Sequence, residues 1–185
     1  MTMNRRDALK SVMVMMGGTM AGATAILTGC APEYQIEGLN FSPEDIAFLD
    51  EIGDTIIPET DTPGAKATGI GAFMVMMVQD TYDADQQKAF VDGLNMIRKE
   101  FKSANGSDFV EASQEDRLIY LNSMYEQFKT SKGEEAAVVN MLKDLTVLGY
   151  FTSEIGATQA LNYVEVPGKF EACIPYNTGD KAYAL

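Results

Sequence analysis

Phe41-Ser42-Pro43-Glu44-Asp45-Ile46-Ala47-Phe48-Leu49-Asp50-Glu51-Ile52-Gly53-Asp54-Thr55-Ile56 spells out a helix with both its start and its inward face. Ser42 suits the N-cap, Pro43 the first helical position, and Asp45 completes a box-like Ser-x-x-Asp. Phe41 and Ile46 have the spacing of a hydrophobic staple. Ile46, Leu49, Ile52 and Ile56 recur on one helical face. Pro58 then ends the helix, because it lacks the amide donor and its ring clashes with the preceding turn.

The same pattern repeats downstream. Residues 57–69 are dense in turn formers and predict a loop. Ile70 to Val78 is apolar and holds Met74, Met76 and Met77, read as core rather than as a pliable partner surface. Asp83 and Gln86 have capping-box spacing ahead of Phe90, Leu94, Ile97 and Phe101. Asn105-Gly106 marks a turn. Ser113 with Asp116 opens a helix whose expected face is Leu118, Leu121, Tyr125 and Phe128, and Lys132-Gly133 breaks it. Glu134 to about Tyr150 predicts another, with Val138, Met141, Leu142, Leu145 and Leu148 inward, and Thr152 to Leu161 adds a short helical turn. Asn162 to Leu185 reads as irregular structure laid over a surface, and no alternation is long enough to build a sheet. The fold expected is all-α, a single bundle-like domain of five or six helices with an irregular C-terminal segment.

Ahead of that domain stands a leader. Asn4-Arg5-Arg6-Asp7-Ala8-Leu9-Lys10 precedes a soft apolar run that ends in Leu27-Thr28-Gly29-Cys30. Arg5 and Arg6 in that setting read as a twin-arginine export signal. Leu27, two small residues and Cys30 read as a bacterial lipoprotein cleavage site. Gly17, Gly18, Gly22, Thr19 and Thr24 make the run weakly hydrophobic, which suits a cleaved signal peptide better than a retained span. The expected organisation is a signal peptide over 1–29, a tether over 30–40, the helical domain over 41–176 and a polar tail over 177–185. The address expected is the bacterial cell envelope, with a lipid on Cys30 holding the protein to the membrane, facing the periplasm or the cell exterior.

Charge narrows the partners. The chain carries a formal net charge of −13. The leader holds Arg5, Arg6 and Lys10 against Asp7, so residues 30–185 keep 11 basic and 26 acidic residues, a net −15. Such a surface repels nucleic acid. The absence of histidine removes the commonest general base and metal ligand. Neither a Gly-x-Gly-x-x-Gly turn nor a Gly-x-Ser-x-Gly elbow occurs.

The remaining acidic clusters have simple explanations. Asp80, Asp83 and Asp85 lack the regular spacing, central glycine and closing glutamate of a calcium loop, and read as helix capping. Glu59 and Asp61 sit in a turn-rich loop, and Glu111, Glu115 and Asp116 suit the start of a helix. No catalytic residue, metal ligand or cofactor site is expected in this chain. With Cys30 assigned to lipid, Cys173 is left alone, as a free thiol, half of an intermolecular bridge, or a buried apolar group.

Three stretches carry a resemblance. Ile56-Ile57-Pro58-Glu59-Thr60-Asp61-Thr62-Pro63-Gly64-Ala65 resembles the Ile-Ile-Pro-x-Thr-x-Thr-Pro-Gly-Ala loop of the gluconate 2-dehydrogenase subunit 3 family. Leu145-Thr146-Val147-Leu148-Gly149-Tyr150 is similar to its Leu-Thr-x-x-Gly-Tyr segment. Pro167-Gly168-Lys169-Phe170-Glu171-Ala172-Cys173 is similar to its closing Pro-Gly-x-Phe-x-x-Cys segment. Order and spacing match over roughly residues 42–176, and the twin-arginine leader is typical of the family.

The resemblance implies a non-catalytic small subunit of a membrane-bound sugar dehydrogenase. Its partner would be a large flavoprotein of the glucose–methanol–choline type, carrying FAD and oxidising a sugar, sugar acid or glycoside. A cytochrome c subunit often takes the electrons onward. The small subunit would escort the large one through the twin-arginine pore and stabilise it afterwards. On this reading Pro63, Gly64, Ala65, Gly149, Tyr150, Pro167, Gly168 and Cys173 lie on or brace the surface that grips the partner. Gly64, Ala65, Gly149 and Gly168 are small enough to admit a close backbone, either the partner's or the chain's own. The competing reading is a stand-alone lipoprotein that binds carbohydrate or protein at the cell envelope, with tyrosines outside the main helices as its only support.

Overall fold

The computed structural model describes residues 35–36, 39–129, 133–166, 168–169 and 173–184. Arg5, Arg6, Cys30, Lys132, Pro167 and Phe170 lie outside the described residues. Within them the fold is helical: α1 Pro43–Ile56, α2 Ile70–Thr81, α3 Ala84–Asn105, α4 Gln114–Phe128 and α5 Glu134–Thr152. A 3-10 turn, Ala65–Thr68, precedes α2, and a π-helical turn, Gly156–Ala160, follows α5. Among the described residues, extended structure forms two ladders of two-residue strands. β1 Gln35–Ile36 pairs antiparallel with β2 Leu39–Asn40, and β3 Asn162–Tyr163 pairs in parallel with β4 Tyr183–Ala184.

The expected starts are present with their chemistry. The Asp45 amide donates to Ser42 Oγ at 3.2 Å, and the Ser42 amide donates back to Asp45 Oδ2 at 2.8 Å. Asp83 and Gln86 make the same reciprocal pair at the start of α3. Ser113 Oγ accepts the Asp116 amide at the start of α4. Each such cap is worth about 1 kcal/mol. Ile57, forced into extended backbone (φ −125°, ψ 86°) by the proline after it, closes α1. At the end of α3, Gly106 takes the left-handed conformation (φ 76°) that a side chain would resist.

Helix α5 packs against each of the other four and forms the middle of the bundle. Around it Phe48, Leu49, Ile52, Ile70, Met74, Val75, Phe90, Ile97, Phe101 and Leu142 are fully buried. Met74 is therefore core, while Met76 and Met77 are half-buried. An aromatic cluster fills one side: Phe109 meets Phe48 at 5.2 Å and Phe101 at 4.9 Å, and Tyr120 meets Phe101 at 5.2 Å, all edge to face. Such pairs add roughly 0.5–1.5 kcal/mol each to their burial. Phe41, at the staple position, packs edge-on against Phe90.

Helix α4 is turned differently from expectation, whereas α5 buries Val138, Leu142 and Leu145 as expected and departs at Leu148. On α4, Leu118 (45 % exposed) and Tyr125 (36 %) face outward, and the buried apolar residue is Met124. The inward face is Arg117, Tyr120 and Met124, spaced i, i+3 and i+7. Arg117 reaches Glu51 and lies over Phe109, and Tyr120 stacks on Phe101. Long side chains with polar tips cover the core there with their apolar bodies, which a periodicity of apolar residues does not register. On α5, Leu148 points to solvent, and Thr146 and Tyr150 are buried in its place. Gly149 lies next to that position, where α2 comes so close that a Cβ would lie 2.4 Å from Ile70 Cδ1.

Candidate functional site

Residues 57–69 form a closed loop. The Ala65 amide donates to the Ile57 carbonyl at 2.9 Å, pinning the ends together, and the Thr60 amide donates to the Thr62 carbonyl. Gly64 is needed for that closure: a Cβ on it would lie 2.6 Å from Asp54 Oδ1 and 2.7 Å from the Glu59 amide nitrogen. Ala65 follows, fully buried, and opens the 3-10 turn that seats the loop on α1, α2 and α5.

The far side of the loop is held by α5. Tyr150, only 2 % exposed, donates its hydroxyl to the Pro63 carbonyl at 2.9 Å and lies 3.3 Å from Thr62 Oγ1. The helix then stops at Ser153, whose hydroxyl donates to the Tyr150 carbonyl while accepting the Gly156 amide. Pro63, Gly64, Ala65, Gly149 and Tyr150 thus come together in one place. Gly64 and Gly149 use their smallness inside the chain. Gly168 (φ 67°) and Cys173 lie instead on the exposed C-terminal segment, so the thiol is not a buried apolar group.

Beneath the loop sits a charged cluster that pattern reading misses. Glu51, buried on α1, takes Lys66 from the 3-10 turn on one carboxylate oxygen and Arg117 from α4 on the other. Burial pushes the Glu51 carboxyl up, but the hydrogen bonds and charges of Lys66 and Arg117 outweigh it and hold the group below its ordinary range. Next to it, burial pushes Asp50 up, and the bond from the Gly71 amide at 2.7 Å only partly offsets this. One clue was legible: an acidic residue falls between Phe48 and Ile52, on the apolar side of α1. Its cationic partners lie too far along the chain to be read.

Glu59, Asp61, Asp80, Asp83 and Asp85 are exposed, Asp83 as the cap of α3. Among the described residues no group of three His, Cys, Asp or Glu side chains is placed to hold a metal ion. The bonds from Tyr150 to Pro63 and from Ala65 to Ile57 make the loop and the end of α5 a structural clasp.

The model of the family described as gluconate 2-dehydrogenase subunit 3 matches residues 43–168. The chain belongs to that family. The match opens on the proline that starts α1 and spans all five helices and the clasp. It stops at Gly168, short of Cys173, and leaves the leader outside. The gluconate 2-dehydrogenase subunit 3 family is named for one subunit of a dehydrogenase complex, and the all-α bundle is this member's version of it. Comparison with curated proteins and with solved structures gave no match.

Proposed function

We propose that the chain is the non-catalytic small subunit of a flavin-dependent sugar, gluconate or glycoside dehydrogenase. It escorts a glucose–methanol–choline-type flavoprotein through the twin-arginine pore by means of Arg5 and Arg6. A lipid on Cys30 then keeps the complex at the membrane, and a cytochrome c subunit receives the electrons. The observation that carries this reading is the family match over the whole bundle. The leader supports it: a route for folded cargo makes sense for a small bundle that travels with a flavoprotein already folded around its FAD.

On this reading the candidate interface residues have two different roles. Gly64, Ala65, Gly149 and Tyr150 are buried, so they act by fixing the shape of the loop, and its outer side chains meet the partner. The C-terminal segment offers direct contact. Val166 and Tyr176 are 78 % and 75 % exposed, and Tyr163, Ile174, Tyr183 and Cys173 are exposed beside them in sequence. Burying such a segment against a partner is favourable at about 25 cal/mol per Å² of apolar surface. Cys173 bridges to the flavoprotein in the oxidising periplasm.

Purification of the tagged chain from its native membranes tests the reading, with a yellow flavoprotein expected in the eluate. Deletion of the chain should leave that flavoprotein in the cytoplasm, and normal export would refute the escort role. On non-reducing electrophoresis the bridge predicts a joint band that reductant splits; a small subunit migrating alone excludes it. The stand-alone lipoprotein reading has one observation in its favour. Tyr176 and Tyr183 line a cleft of about 540 Å³ together with Asn162, Asp180 and Lys181, a set suited to a sugar ring. A colourless protein that binds sugar and brings no flavin would establish that reading instead.

A further inference from the structure

The C-terminal arm folds back and builds a cleft beside the turn that follows α5. The Asn162 amide donates to the Ala182 carbonyl at 2.8 Å, and the β3–β4 ladder sets Asn162 against Tyr183 and Tyr163 against Ala184. Lys181 clips the arm down by donating its ammonium to the Gln159 carbonyl of the π-helical turn. Successive side chains of a strand point to opposite faces, so Asn162 and Tyr183 share one face of this ladder and Tyr163 stands on the other. The first pair lines a cleft of about 540 Å³ together with Ile174, Pro175, Tyr176 and Asp180. Tyr163 lines a separate, smaller one of about 290 Å³.

The larger cleft falls within the roughly 300–1,000 Å³ of small-molecule sites, and its lining has the chemistry that holds a sugar. Tyr176 and Tyr183, 75 % and 50 % exposed, offer aromatic faces to the C–H side of a pyranose ring. Asp180 is fixed in place, because its Oδ2 accepts the Asn177 backbone amide at 2.8 Å and the Asn177 side-chain amide at 3.2 Å. Its Oδ1 has no partner among the described residues and can accept from a ring hydroxyl. The Asn162 side chain adds a donor and an acceptor to the same cleft. Charge selects between sugars. Among the described residues Lys181 is the one cation lining the cleft, and its ammonium is spent on Gln159. What remains is the Asp180 carboxylate on a chain of net charge −13, which repels a sugar acid and tolerates a neutral sugar.

We infer that this cleft is a binding site for a neutral saccharide, with Tyr176 and Tyr183 as stacking faces and Asp180 and Asn162 as partners for its hydroxyls. The small-subunit reading assigns no ligand to this chain, so the site goes beyond that reading and does not depend on it. Tyr163, Val166 and Cys173 lie outside the cleft, and the arm therefore keeps side chains for a protein partner.

Saturation-transfer NMR on the full-length tagged chain tests the site, with glucose, galactose and maltose as neutral probes and gluconate as the anionic one. A neutral probe should bind, and gluconate should bind ~10-fold more weakly or not at all. Tyr176→Ala should weaken the neutral probe about 10-fold by removing one aromatic face. Tyr176→Trp, which keeps a face to stack on, should restore it, a rescue that a merely misfolded arm would not give. Tyr163→Ala, across the ladder, should bind normally. Three outcomes would overturn the site: no transfer to any neutral probe, transfer that survives both Tyr176→Ala and Tyr183→Ala, or gluconate bound as tightly as the neutral sugars. Each of them leaves the small-subunit reading standing, because that reading is decided by whether the chain captures a flavoprotein. Sugar binding by a chain that captures none would refute the small-subunit reading and keep the site.

Discussion

Tyr150 and Pro63, 87 residues apart in sequence, are joined by a hydrogen bond of 2.9 Å from the tyrosine hydroxyl to the proline carbonyl. That bond ties the end of the central helix to the tip of the loop after α1. Two of the stretches by which the family is recognised are therefore one structural unit.

Tyr150→Phe removes only the hydroxyl. The ring stays buried and the Pro63 carbonyl loses its donor, so the expected cost is about 1 kcal/mol. For a domain of this size that lowers the melting temperature by roughly 2–4 °C. Thermal denaturation of the two proteins decides it, and identical midpoints would show that the bond is not formed in solution.

Gly149→Ala tests the contact on the other side of the same turn. The new methyl would sit 2.4 Å from Ile70 Cδ1 and 2.5 Å from Phe73 Cδ1, and Ile70 is fully buried in the core. Overpacking of this kind costs about 1–3 kcal/mol, more than the helix gains from replacing glycine by alanine. A variant more stable to urea than the parent would contradict the packing of α2 on α5.

Glu51→Gln strands the Arg117 guanidinium, whose side chain is 11 % exposed. Removing one partner of a buried pair costs on the order of 3 kcal/mol. The pH profile gives an independent check. Glu51 is held below its ordinary value of 4.5, so its contribution is complete above that pH and is lost as pH falls through the native pKa. Asp50 has the opposite sign. Its native pKa lies above 3.8, so its ionisation disfavours the fold as pH rises through that value. Urea titrations from neutral to acid pH should therefore show Glu51→Gln losing part of the acid sensitivity. Asp50→Asn, which keeps the acceptor for Gly71, should gain at neutral pH relative to acid. Parallel profiles for all three proteins would rule the cluster out as a source of pH dependence.

The rotation of α4 can be read from a pair of truncations. Met124→Ala empties a buried site and should cost about 2–5 kcal/mol, whereas Leu118→Ala, at a 45 % exposed position, should stay within about 0.5 kcal/mol. A larger loss at Leu118 than at Met124 would restore the face that apolar spacing alone suggests for this helix.

Most of the helical skeleton was legible in the chain. Ser42 with Pro43, Asp83 with Gln86 and Ser113 with Asp116 are local signals, since a cap needs only residues three positions apart. The faces of α1 and α3 were also readable at Leu49, Ile52, Phe90, Leu94, Ile97 and Phe101, because their apolar residues point the same way as their burial. On α4, and on α5 at Leu148 alone, the pattern failed for a physical reason. Arg117 and Tyr120 cover core with polar-tipped side chains, and Gly149, having no side chain of its own, lets α2 pack close beside Thr146 and Tyr150 at the end of α5.

The candidate site divides along the same line. The sequence by itself determined where helices begin and end, the acidic surface and the family, because each depends on neighbouring residues or on composition. Only the tertiary structure decided that Gly64 and Gly149 serve packing within the chain, that Glu51 gathers Lys66 and Arg117, and that Leu118 and Tyr125 face outward. Those outcomes turn on which helix lies opposite which. That is settled by close contacts between residues far apart in sequence, where a single missing methyl group or one buried charge pair outweighs local preference.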